Sequence, residues 1–200
     1  MRRRPRQTRS RQTARALREA FVRILVERGY DGITVRELTL VAGTALGSFY
    51  DYYASKADLA RVSLHLRSKA LLVPLRAAAT QARGQPLATV AEALVDALLA
   101  AHANHPEEWA AHYLLERHLS DLEAYRKMYE RFVDAWAEAI RDASDWPAER
   151  PARAAARVCH TIFYGLLAYF HLAAPEEPDR RALRREACLA LQSYLLAARG

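Results

Sequence analysis

Apolar residues recur along this chain at intervals of three and four, which is the repeat of helices packed by one face. Ala16, Leu17, Ala20, Phe21, Ile24 and Leu25 form one stripe, with Arg18, Arg23, Glu27 and Arg28 outside it. The pattern predicts a first helix from about Gln12 to Arg28. Gly29 suits the left-handed position just past its end, and Tyr30-Asp31-Gly32 reads as a turn. Thr34-Val35-Arg36-Glu37 has the spacing of a capping box, the threonine oxygen taking an orphan amide and Glu37 reaching back to the cap. In the second helix that follows, Val35, Leu38 and Ala42 face the first. Gly43 breaks the run, and a third helix is expected from Thr44 to Tyr53, anchored by Phe49. Ser55-Lys56-Ala57-Asp58 is a second capping box. It opens a long helix to about Ala82 that Pro74, lacking an amide donor, must kink or interrupt.

The remainder continues in the same period. Arg83-Gly84-Gln85-Pro86 is a break, and Leu87, Val90, Ala91, Leu94, Val95, Leu98 and His102 make the next stripe. Asn104-His105-Pro106 ends that helix, and Pro106 suits the first turn of a short one through about His118. Ser120 or Asp121 is the expected cap of a helix carrying Tyr125, Met128, Tyr129, Phe132, Trp136 and Ile140 on one side. A loop spans Ala143 to Pro151, and two final helices run from about Ala152 to Ala173 and from about Asp179 to Ala198, separated by residues 174–178. Nothing reads as a strand. The expected fold is all-α with about nine helices: an N-terminal three-helix unit, residues 1–60, and a larger helical body, residues 61–200.

Charge divides the chain along the same line. Residues 1–56 hold 12 Arg or Lys against 5 Asp or Glu, while the other 144 residues hold 18 of each sign, so the whole formal excess of +7 sits on the head. Eight arginines and no acid precede Glu19. Such a block is either a solvated tail or an arm that neutralises phosphates and releases counterions. No run of about 18 apolar residues is present to cross a membrane, and no apolar stretch precedes Phe21 as a secretory signal would require. Cys159 and Cys188 stand in no metal or redox spacing, which fits a reducing cytoplasm. No cofactor is implied.

The residues from about Thr13 to Val62 resemble the N-terminal domain of TetR/AcrR-type transcriptional repressors. The resemblance rests on Phe21, Glu27-Arg28-Gly29-Tyr30, Thr34-Val35-Arg36-Glu37-Leu38, Ala42-Gly43, Gly47-Ser48-Phe49-Tyr50, Tyr52-Tyr53 and Ser55-Lys56. It covers about a quarter of the chain; the rest matches in length and helical content. It implies a helix-turn-helix homodimer on a palindromic double-stranded DNA operator, paired through its last two helices and released by a small molecule bound in the body. By that resemblance the DNA-facing residues are Thr34, Arg36, Thr44, Ala45, Leu46, Gly47, Ser48, Tyr50, Tyr52 and Lys56. Arg36 stands where a base edge is read, Ser48 and Tyr50 where base or backbone is touched, and Tyr52 and Lys56 where phosphate is held.

Elementary chemistry fits these roles. Gly47 and Ser48 let the recognition helix approach the groove. A first-turn Lys56 adds charge to free helix amides, and an arginine such as Arg36 bidentate to guanine discriminates by roughly 1–3 kcal/mol. The chain departs from the family pattern at Ala45, where a serine is common, and at Leu46, where a polar residue is frequent; both can meet a thymine methyl. Asp51 can accept from cytosine N4 or point away. Tyr53 is assigned to the core, Tyr50 and Tyr52 to phosphate, and Thr34 mainly to its cap.

In the body, polar and aromatic groups on apolar stripes are the candidate ligand-binding residues: His102; Trp109, His112, Tyr113 and Glu116; Tyr129, Phe132 and Trp136; His160, Phe163 and Tyr164. Aromatic walls with a few polar anchors are what small-ligand sites look like, although each residue singly also fits an ordinary core. The aromatic load points to a hydrophobic or aromatic effector. Gly165 and Ala168, with Leu183, Ala187, Leu191, Tyr194 and Leu195, can build either a four-helix dimer interface or intramolecular packing. A dimer is expected because one short recognition helix reads few base pairs. Two other readings compete: a DNA-binding protein without an effector, and an enzyme in the body. The second has only His102, His112 and Glu116 as acid–base groups and no nucleophile, metal or phosphate-loop motif, so no enzyme is expected.

Overall fold

Thr34, Ser55 and Asp179 cap three helix starts with their side chains in the computed structural model, which describes residues 4–103, 105–119, 122–173 and 179–200, with side chains from Ser10. Among the described residues the elements are α1 (Arg4–Arg28), α2 (Val35–Val41), α3 (Leu46–Tyr50), α4 (Lys56–Gln81), α5 (Leu87–Ala101), α6 (Pro106–Leu119), α7 (Leu122–Arg141), α8 (Arg153–Ala173) and α9 (Arg180–Arg199), and none is a strand. The expected breaker Asn104, the expected caps Ser120 and Asp121, the separator 174–178 and the first three residues of the basic arm lie outside the described residues. No single described helix is long and apolar enough to cross a membrane.

Two compact units are built from these elements: residues 1–66 with 111–120, and residues 67–110 with 121–200. α4 and α6 each contribute to both. In the first unit, Leu17, Phe21, Ile24 and Leu25 of α1 pack with Leu38 of α2, Phe49 of α3, Leu59 of α4 and Leu115 of α6 around one buried core. In the second, α7 packs on α8, α8 on α9, and α9 on α5. The α5 stripe is buried as its spacing requires: Leu87, Val90, Ala91, Leu94, Val95 and Leu98 all face inward. Arg184 grips Asp96 by two bonds, Nε at 2.5 Å and Nη2 at 2.9 Å, tying α9 to α5. Arg153 of α8 holds Asp134 and Glu130 of α7.

Four expectations are corrected. α1 begins at Arg4, not near Gln12: Pro5 falls in the first turn, where its missing amide costs nothing. α3 is five residues long, not Thr44 to Tyr53. Ala45 is extended (φ −73°, ψ 151°), and beyond Tyr50 the chain tightens into a turn as Tyr52 N donates to the Phe49 carbonyl at 3.1 Å. Of the two outcomes expected at Pro74, interruption does not occur, since the residue lies inside α4. The box at Thr34 is half formed: Glu37 N donates to Thr34 Oγ1 at 3.2 Å, but the Glu37 carboxylate pairs with Arg28 instead of reaching back. The box at Ser55 is also shifted, since Asp58 N donates to Ser55 Oγ while the Asp58 carboxylate accepts from Ala54 N, both at 3.1 Å.

Candidate functional site

The turn of the head is fixed before any side chain reaches out of it. Gly43 N donates to the Leu40 carbonyl (3.1 Å) and Thr44 N to the Thr39 carbonyl (2.9 Å), the paired bonds of a Schellman end to α2. Gly43 has φ 64°, a conformation that a Cβ disfavours. α3 then starts at Leu46, and Phe49 pins its inner side with none of its surface exposed. Its outer side is left to solvent: Ala45, Leu46 and Gly47 are exposed, Ser48 is half-buried, and Tyr50 is 59% exposed with its ring edge against Phe49. Thr34 and Arg36 are exposed on the turn and helix before it.

The local charges are arranged around that surface. Glu19 pairs with Arg15, Glu27 with Arg23, and Glu37 with Arg28. Among the described residues Arg36 has no carboxylate partner, and its carbonyl accepts from Thr39 Oγ1 at 2.8 Å. Lys56 is not a free cation: its ammonium donates to the Tyr30 carbonyl at 3.1 Å and lies 4.3 Å from the centre of the Tyr30 ring. Tyr52 is half-buried against the head core, and Tyr53 is buried, its hydroxyl donating to the Ala14 carbonyl at 3.3 Å and accepting from Arg18. Thr44 is half-buried, and its hydroxyl oxygen is buried without a hydrogen-bond partner among the described residues. Asp51 is exposed at the C-cap of α3. Leu40, 80% exposed, and Val41 join Leu46 as outward apolar groups that sequence periodicity did not single out, though their place off the Val35–Leu38–Ala42 stripe was the signal.

The candidate ligand residues lie in both units. His112, Tyr113 and Glu116 are buried in the first unit, where His112 Nε2 lies 3.2 Å from Ser63 Oγ. His102 and Trp109 are in the second unit with rings 3.9 Å apart. Around them stand three residues that the sequence reading did not name. Arg67 lies 3.4 Å from the Trp109 ring centre and pairs with Glu108 at 2.9 Å; His171 stacks on His102 at 5.5 Å; and Arg180 donates to the Ala103 carbonyl at 3.0 Å. His171 and Arg180 flank the break between α8 and α9, and no apolar stripe marks them; Arg67 gives no signal in the sequence at all.

A third group also lies in the second unit. His160 stacks parallel on Phe132 at 5.1 Å and meets Tyr129 edge-on at 4.6 Å, with Tyr164 at 6.0 Å. Trp136 and Phe163 are buried core. Burial pushes His102, His160 and His171 down to about 4, aided for His102 and His171 by nearby Arg67 and Arg180, so all three are neutral at pH 7. Burial likewise pushes the Cys159 thiol up to about 12, which leaves it inert.

On the last two helices Ala168, Leu183, Ala187, Leu191 and Leu195 are buried within the chain, so they pack intramolecularly. Tyr194 is half-buried and Gly165 exposed. Outward apolar positions are instead Val158 and Tyr169 of α8 and Leu189 and Leu196 of α9, Tyr169 being 69% and Leu196 60% exposed.

The sequence of residues 86–195 matches the family described as tetracyclin repressor-like, C-terminal domain, and residues 17–62 match bacterial regulatory proteins, tetR family. The chain belongs to the TetR family. It is a TetR-family transcriptional regulator with an N-terminal helix-turn-helix domain. The uncharacterised HTH-type transcriptional regulator YxbF of Bacillus subtilis (strain 168) is 28% identical over 141 residues, a match spanning 62% of this chain and only 37% of that protein. Among solved structures, a TetR-family regulator of Marinobacter aquaeolei VT8 is similar with TM-score 0.67 and 17% identity, covering 96% of this chain and 97% of that one. SmeT, the repressor of the Stenotrophomonas maltophilia multidrug efflux pump SmeDEF, has TM-score 0.70 and 19% identity, covering 93% and 91%; its complex with triclosan has TM-score 0.69 and 20% identity, covering 92% and 90%. At these identities the structures share the fold.

Proposed function

We propose that this TetR-family regulator is a homodimeric repressor that binds a palindromic operator and is released by a small hydrophobic or aromatic effector. Residues 1–60 read the DNA, and residues 61–200 bind the effector and pair the subunits. The observation that carries the reading is the exposed face of Arg36, Ala45, Leu46, Gly47 and Tyr50, with half-buried Ser48 beside them, held by the Schellman turn at Gly43 on the strongly basic end of the chain. Basic surface supplies sequence-independent affinity, and short side chains at the start of a recognition helix supply base contacts.

In this reading Thr34 and Ser48 offer hydroxyls, Tyr50 and Tyr52 phenols and Lys56 an ammonium to the phosphates; Thr44 supports the turn. The exposed apolar groups Val158, Gly165, Tyr169, Leu189 and Leu196 of α8 and α9 form the pairing surface, because outward apolar side chains at helical spacing are best buried against a second copy. The effector acts by favouring a dimer whose two heads have the wrong spacing. The multidrug-efflux repressor SmeT, with its triclosan complex, supports an aromatic effector.

Selection of bound fragments from a random-sequence DNA pool tests the function. A two-fold symmetric site with half-sites about one helical turn apart is expected. Recovery of no common sequence, or of a site without symmetry, overturns it.

A further inference from the structure

Trp109 is 6% exposed, and its indole N–H has no hydrogen-bond partner among the described residues. Tryptophan is a donor only, and a buried indole N–H ordinarily finds an acceptor. Both of its close contacts are with the ring face: the Arg67 guanidinium carbon lies 3.4 Å from the ring centre, and the His102 ring is 3.9 Å away at 33°. The N–H lies on the ring edge, which neither contact engages. What is missing is an acceptor.

The surroundings select its charge. Among the described residues two guanidiniums, Arg67 and Arg180, belong to this cluster, and the Glu108 carboxylate pairs with Arg67 at 2.9 Å. Burial keeps His102 and His171 neutral, so they add bulk and polarity without charge. Arg180 is anchored on the carbonyls of His102 and Ala103 at the end of α5, which fixes one guanidinium near the cluster. A cation would meet net positive charge here, whereas a carboxylate would gain both the indole donor and a charge-assisted bond.

We propose that the second unit takes its effector as an aromatic carboxylate whose oxygen accepts the buried Trp109 N–H beside Arg67 and Arg180. The inference rests on the effector-responsive reading above and gives that effector its chemical class. Flat rings suit the cluster of His102, Trp109 and His171, and the anion selects acids over neutral ligands of the same shape.

Calorimetric titration of the full chain with benzoate, 1-naphthoate and indole-3-acetate, each beside its primary amide, tests the class. At least one acid should bind tenfold or more tightly than its amide. Trp109→Phe, which keeps a ring and removes the N–H, should weaken that acid about tenfold and leave the amide unchanged. Amides that bind as well as acids, an acid indifferent to Trp109→Phe, or no binding by any of the three acids overturns the proposal. The acid-to-amide ratio on the unmodified chain stands even if the variant fails to fold. Binding of the selected DNA is followed in the same samples: a chain that binds DNA but prefers no acid loses this inference alone, and one that binds an acid but no DNA loses the repressor reading.

Discussion

Lys56 and Tyr50 hold opposite positions in the head. The Lys56 ammonium is pinned to the Tyr30 carbonyl and ring, so a phosphate must be met by a cation already oriented rather than by a free one. The Tyr50 side chain is 59% exposed, and its ring meets Phe49 in a T-shaped contact. Lys56→Ala is therefore expected to do two things: lower the slope of log affinity against log salt by about 0.9 per chain, and lower head stability by about 1 kcal/mol through the lost bond. Tyr50→Phe is expected to weaken DNA binding with stability unchanged. Anisotropy titrations over a salt series and urea denaturation separate these effects; a Lys56→Ala chain with the parent's salt slope removes that residue from the phosphate contacts.

At the scale of elements, the turn between α2 and α3 sets how the reading face is presented. Gly43→Ala places a Cβ at φ 64° and is expected to cost about 1–2 kcal/mol in urea denaturation. Gly47→Ala meets nothing within 4 Å at ordinary φ, so it should leave stability intact and weaken only DNA binding, by holding the backbone off the groove. Loss of stability at Gly47, or none at Gly43, contradicts this account of the turn. Helices such as α5 were legible because one apolar stripe fixes one buried face, and the cap at Thr34 and the stop at Gly43 were legible because their chemistry is local. The early start of α1 was not, since an arginine-rich segment carries no apolar period. The length of α3 was not either, because tertiary anchoring of Phe49 and Tyr53 ends it sooner than propensity would. The Arg67–Glu108 pairing beside Trp109 joins residues far apart in sequence and has no local mark.

For the molecule as a whole, the neutral histidines make stability depend on acid. His102, His160 and His171 have folded values near 4, below the ordinary 6.5, so their contribution is complete above pH 6.5 and is lost as pH falls through 4. For the well-buried His102 and His160 that loss is at most about 3 kcal/mol each. The melting temperature should fall steeply between pH 6.5 and 4, and His160→Phe should flatten the fall; a pH-independent melt contradicts the neutral assignment. Pairing through α8 and α9 predicts that Tyr169→Glu or Leu196→Glu shifts the sedimenting species from two chains to one, with DNA affinity lost alongside. A variant that stays paired places the interface elsewhere. The central claim is that the Thr34–Tyr50 surface reads base sequence, and its most direct test is competition between the selected operator and a scrambled duplex at physiological salt, for the parent and Arg36→Ala. The parent should prefer the operator by about a thousandfold or more, and Arg36→Ala should give up roughly 1–3 kcal/mol of that preference per half-site. Equal affinity of the parent for both duplexes, or an unchanged preference in Arg36→Ala, would contradict it.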